Sequence, residues 1–154
     1  MLNPRKTNVA IDANALDHKG GERDALVDRF NAAVKSRTVT VVVAAGVRDE
    51  VQHPRTPSDA KDAVLPQVFN LRPRLNGAQQ EQRRQVAIIL QGNAKPGIHA
   101  ADASHISEAA ETGCAYFITE DKRILGKRTE LRPVLPPTLA IVTLLEFFDA
   151  FDRA

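Results

Sequence analysis

Apolar positions fall along the chain in two alternating rhythms. Asn8-Val9-Ala10-Ile11-Asp12 is short, β-branched and ends in an acid, the pattern of a buried strand. Beyond Gly20-Gly21, Leu26, Val27, Phe30, Ala33 and Val34 recur at helical spacing within Glu22 to Lys35. Thr38 to Ala44 is a dense valine run, suited to a strand covered on both faces of a parallel sheet. Ala45 to Gln52 reads as a helix start closed by His53-Pro54. Pro57-Ser58 caps Asp59 to Leu65, Pro66 stops it, and Gln67 to Leu71 reads as a short edge strand. Asn76-Gly77-Ala78-Gln79 is a capping arrangement for a helix from Ala78 to Gln91, followed by a loop at Gly92, Pro96 and Gly97. A further helix spans Ala100 to Thr112 and ends at Gly113. Ala115 to Thr119 is a strand, Asp121 to Arg128 a short helix, Leu139 to Thr143 a last strand and Leu144 to Phe151 a last helix. Strands alternating with helices predict one domain over residues 1–154, a three-layer α/β/α sandwich around a mostly parallel sheet.

Composition narrows the class. Hydrophobic residues make up 43% and charged residues 26% of 154 positions, ordinary values for a folded domain. No apolar run approaches the ~20 residues that a membrane span needs, and Met1 to Thr7 lacks the apolar stretch of a secretory signal. The single cysteine, Cys114, excludes an internal disulfide and a cysteine-rich zinc site. A cytoplasmic setting is the expectation. A net charge of +2 permits a nucleic-acid partner without requiring one. Basic residues gather at Arg72 and Arg74, at Arg83 and Arg84, and at Lys122, Arg123, Lys127 and Arg128. The last group adjoins an acid, so Lys122, Arg123 and Arg128 are candidates for phosphate contact. Ordinary solvated helix faces explain them equally well.

The acids carry the chemistry. In a parallel α/β sheet, strand C-termini and helix N-termini meet along one edge, where such folds bind ligands. Asp12 ends the first strand, and Glu50 opens the helix after the second. Asp102 sits in the first turn of the Ala100 helix, and Asp121 lies two residues past Thr119. Topology alone sends all four to that edge. Glu50 shares its place with Asp49, and Asp121 with Glu120; either member of each pair satisfies the pattern. Converging carboxylates repel unless a cation joins them, and oxygen-only ligands favour Mg²⁺ or Mn²⁺. Such a cluster suits phosphodiester hydrolysis. The bland alternative for Glu50 and Asp102 is the helix dipole, which favours acids in a first turn by about 0.3–1 kcal/mol. Asp12 is harder to dismiss, because a carboxylate ending a buried strand needs a partner.

Three other enzyme classes fit poorly. A dehalogenase-type phosphohydrolase wants an Asp two residues beyond Asp12, where Asn14 stands. A receiver domain wants paired acids and a late lysine, and a dinucleotide or P-loop site needs a glycine-rich turn in place of Asp12-Ala13-Asn14-Ala15.

Val9-Ala10-Ile11-Asp12-Ala13-Asn14-Ala15-Leu16 resembles the opening of PIN-domain nucleases. Ala101-Asp102-Ala103-Ser104-His105-Ile106, and then Ala109 through Gly113 to Thr119-Glu120-Asp121, is similar to that family's second half. Leu139 to Thr143 followed by Leu145-Glu146-Phe147-Phe148 resembles its last strand and helix. The likeness spans nearly the whole chain and is thinnest from His53 to Asn93. It implies a ribonuclease that holds Mg²⁺ or Mn²⁺ on Asp12, Glu50, Asp102 and Asp121, with Asn14 and Thr119 orienting acids, metal or water. It also implies an RNA substrate cut by metal-activated water. The nearest type is the VapC class of toxins, usually homodimeric and inhibited by a small antitoxin protein. The rival readings are a solitary ribonuclease of the same family and a PIN-like module that binds RNA or protein without cutting.

Overall fold

The computed structural model describes residues 2–42 and 75–154. The end of the valine run, the helix carrying Glu50, the Asp59 to Leu65 helix and the Gln67 to Leu71 strand lie outside the described residues.

Four strands form one sheet: β1 (Asn8–Ile11), β2 (Thr40–Val41), β3 (Tyr116–Ile118) and β4 (Ala140–Val142). Their order is β2-β1-β3-β4, and every described pairing is parallel. Ala10 lies beside Phe117, and Phe117 beside Ile141, so the strands run in step. The helices are α1 (Arg23–Lys35), α2 (Gly77–Gln91), α3 (Ala100–Glu111), α4 (Lys122–Gly126), α5 (Arg128–Leu131) and α6 (Leu144–Arg153). A 3-10 turn, Ala13–Leu16, follows β1.

Side-chain alternation splits the core into two layers. Val9, Ile11, Tyr116, Ile118 and Val142 face Val27, Phe30 and Val34 of α1 and Leu144, Phe147, Phe148 and Phe151 of α6. Ala10, Phe117 and Ile141 face the other way, toward Val86 and Leu90 of α2, Ala103 and Ile106 of α3, Ile124 and Leu131. Helices thus cover both faces of a parallel sheet, as a three-layer α/β/α sandwich requires. None of the described helices is long and apolar enough to cross a membrane. Cys114 is buried among the second layer, and burial pushes its thiol pKa up, as inert packing requires.

Local chemistry accounts for the helix ends. Asn76 and Gln79 exchange hydrogen bonds of 2.8 and 3.0 Å, a complete capping box for α2. Thr143 and Glu146 do the same for α6 at 3.1 and 3.0 Å. Gly113 takes a φ of 73°, a left-handed conformation that stops the chain after α3. The helix expected from Asp121 to Arg128 differs. Asp121 is its cap and not part of it, and the helix divides at Lys127 into α4 and α5. The division lets both Ile124 and Leu131, each fully buried, reach the second core layer.

Glu146 also accepts two hydrogen bonds from Arg128 Nη1, at 2.9 and 3.0 Å. Burial pushes its pKa up, but the Thr143 N–H and the Arg128 guanidinium outweigh that and hold it below the ordinary 4.5. The folded value is depressed, so this contribution is complete above 4.5 and is lost as pH falls through the lower, folded value. Urea midpoints taken from neutral pH down to about pH 3 should decline less steeply in Glu146→Gln than in the parent chain. Equal slopes would show that Glu146 contributes nothing to acid sensitivity.

Candidate acidic site

β1 delivers Asp12 to the C-terminal edge of the sheet. Its N–H closes the ladder on the Ile118 carbonyl at 2.9 Å, and its own carbonyl accepts the Ala15 N–H at 3.0 Å to begin the 3-10 turn. The residue is therefore fixed from both sides, and only 5% of it is exposed. Arg23 secures the far end of the turn, donating to the carbonyls of Ala15 and Asp17 at 2.7 and 2.6 Å.

β3 delivers Thr119, which is fully buried. The Thr119 N–H is held by the Val142 carbonyl at 3.0 Å. Its hydroxyl donates to Asp12 Oδ2 at 3.0 Å and accepts the Asp121 N–H at 3.1 Å. One side chain thus ties the acid of β1 to the backbone of the acid after β3. Asp121 caps α4, accepting the Arg123 N–H on Oδ1 at 2.9 Å.

Asp102 enters from the first turn of α3. Arg123 Nη2 donates to Asp102 Oδ2 and lies 3.7 Å from Asp121 Oδ2, so a single guanidinium bridges the two carboxylates. Both acids are 24% exposed and Arg123 39%, so solvent reaches this part of the edge.

Neighbouring residues take other parts. Glu120 has other partners: it accepts the Leu144 N–H at 3.0 Å and lies 3.9 Å from Arg23 Nη1. Of the two adjacent acids, it is Asp121 that shares Arg123 with Asp102. Asn14 is exposed on the 3-10 turn, and among the described residues its side chain makes no hydrogen bond to an acid. Glu50 and Asp49 lie outside the described residues. Arg128 is occupied by Glu146 and by the carbonyls of Leu125 and Ile141, the last two at 3.2 and 3.4 Å. Lys122 is exposed. Arg123, read from sequence as a phosphate contact, is the bridge between two acids. An arginine two residues after a helix-capping aspartate was the one local sign of that role.

Among the described residues, no three His, Cys, Asp or Glu side chains are close enough together to hold a metal ion. Asp12, Asp102 and Asp121 are instead joined through Thr119 and Arg123. Their chemistry nonetheless fits a hard cation, because every donor is a carboxylate oxygen and two of them already share one positive charge.

The fold and edge define the class: a parallel α/β domain with an acidic site at its strand C-termini. Comparison with protein-family models, with curated proteins and with solved structures gave no match.

Proposed function

We propose that the chain is a metal-dependent ribonuclease with a PIN-like fold, hydrolysing RNA phosphodiester bonds at this edge. One observation carries the reading. Three acids distant in sequence are linked at the C-terminal edge of the sheet, Asp12 to Asp121 through Thr119 and Asp121 to Asp102 through Arg123. A catalytic pair of strand ends and a helix N-terminus at that edge is where a parallel α/β fold offers ligand groups.

Asp12, Asp102 and Asp121 would hold Mg²⁺ or Mn²⁺, with Glu50 as a further ligand or as the residue orienting water. When bound, the ion lowers the pKa of a water and neutralises charge on the phosphate. Thr119 fixes the Asp12 carboxylate by donating to it, which keeps one oxygen in place. Lys122, exposed next to Asp121 in the chain, supplies charge for an RNA backbone. The toxin role, with a small antitoxin and a homodimer, follows from the resemblance to VapC-type chains.

A second reading has its own support. A PIN-like module that binds RNA or protein without cutting accords with acids held by an internal arginine. Metal dependence separates the two. Purified protein should cleave labelled single-stranded RNA with Mn²⁺, lose cleavage in EDTA and regain it on adding Mn²⁺ back. Asp102→Asn should slow cleavage by about tenfold or more. Cleavage that continues in chelator or in the variant rules out this site. Retention of RNA without cleavage under all conditions selects the binding module.

A further inference from the structure

Arg123 is placed unlike Arg23 and Arg128, the other arginines described near this edge. Arg23 spends its donors on the carbonyls of Ala15 and Asp17, and Arg128 on Glu146 and two carbonyls, contacts that hold the fold. The side chain of Arg123 instead meets the two carboxylates of the proposed site. Its main chain is pinned, since Asp121 accepts its N–H, while its side chain is 39% exposed and has solvent to move into.

We infer that Arg123 is a resident counter-cation that occupies the cation position between Asp102 and Asp121 and must swing out before a divalent ion binds there. This rests on the nuclease reading of the site. Without a positive charge, the two carboxylates would repel and α3 and α4 would be pushed apart at this edge. The guanidinium removes that repulsion during folding and before metal arrives. Only a competing cation displaces it. A divalent ion offers twice the charge to the same oxygens, and the flexible stem carries the guanidinium to water at little cost. Arg123 therefore sets a threshold: metal binds, but less tightly than the bare carboxylates would allow.

The test is metal affinity in the intact chain, with no RNA present. Metal-stripped protein would be titrated with Mn²⁺ while free ion is followed by its EPR signal, for the parent chain, Arg123→Gln, Arg123→Lys and Asp102→Asn. Arg123→Gln should bind Mn²⁺ about tenfold more tightly, since one competing charge is gone. Arg123→Lys keeps the charge and should change the affinity less, and Asp102→Asn should weaken it. Equal or weaker binding by Arg123→Gln, with Asp102→Asn still weakening it, overturns the counter-cation role and leaves the nuclease reading standing. No Mn²⁺ binding by any of the four proteins overturns both. Far-UV circular dichroism on each variant excludes unfolding, and Arg123→Met, which also removes the charge and should bind Mn²⁺ more tightly in the same way, replaces the glutamine variant if that one does not fold.

Discussion

Phe147→Ala should lower the stability of the fold by about 3–5 kcal/mol, the range for deleting a buried aromatic ring from a packed core. Phe147 is fully buried on α6 and is the hub of the first core layer. Its ring meets Tyr116 edge-on at 5.5 Å, Phe148 at 5.4 Å and Phe30 at 6.0 Å, with Phe151 at 6.1 Å. Truncation removes those contacts from β3, α1 and α6 together, and rings anchored on three elements cannot collapse into one gap. For a chain of this size the melting temperature should fall by roughly 10 °C or more. Leu145 on the same helix is 57% exposed, and Leu145→Ala should stay within about 0.5 kcal/mol of the parent. Urea denaturation of both variants provides the measurement. A loss below about 1 kcal/mol for Phe147→Ala would mean that the layer repacks, and that α6 is not the element that closes this face.

What the sequence made legible follows from the range over which each signal acts. The capping box at Asn76 lies within four residues, and the apolar periods of α1, α2 and α3 within single elements, so pattern reading places them to within a residue or two; the equally local box at Thr143 was read only as the end of a strand. The divided helix after Asp121 was not legible, because what divides it is the demand of the second core layer for both Ile124 and Leu131. β2 is a harder case: seven residues of strand were expected, of which Thr40–Val41 are strand and those from 43 on are not described. At the site, topology sent Asp12, Asp102 and Asp121 to one edge, and there they are linked. Topology could not choose between Asp121 and Glu120, whose roles are set by which neighbour, Arg123 or Leu144, comes within reach. Nor could it show the bridge from Arg123 to Asp102, a contact across 21 positions between two helices. Long-range pairing of charges has no periodicity to read.

Asp12→Asn should reduce Mn²⁺-dependent RNA cleavage by about 100-fold or more while leaving the fold intact. The two effects part because of how Asp12 is built in. Its backbone holds the end of the β1 ladder and the start of the 3-10 turn, and asparagine keeps both bonds. The amide oxygen can still accept the Thr119 hydroxyl, which now stands 3.0 Å from Asp12 Oδ2. What disappears is one negative charge, on a residue that is 5% exposed. The variant should therefore still fold, with the parent's far-UV circular dichroism spectrum. Thr119→Val keeps the charge and removes only the hydroxyl that orients it, so cleavage should fall less, by about tenfold. A parent-like cleavage rate in Asp12→Asn would remove this acid from the reaction. A melting temperature well below the parent would show instead that the carboxylate is part of the scaffold, and that the activity lost with it says nothing about chemistry.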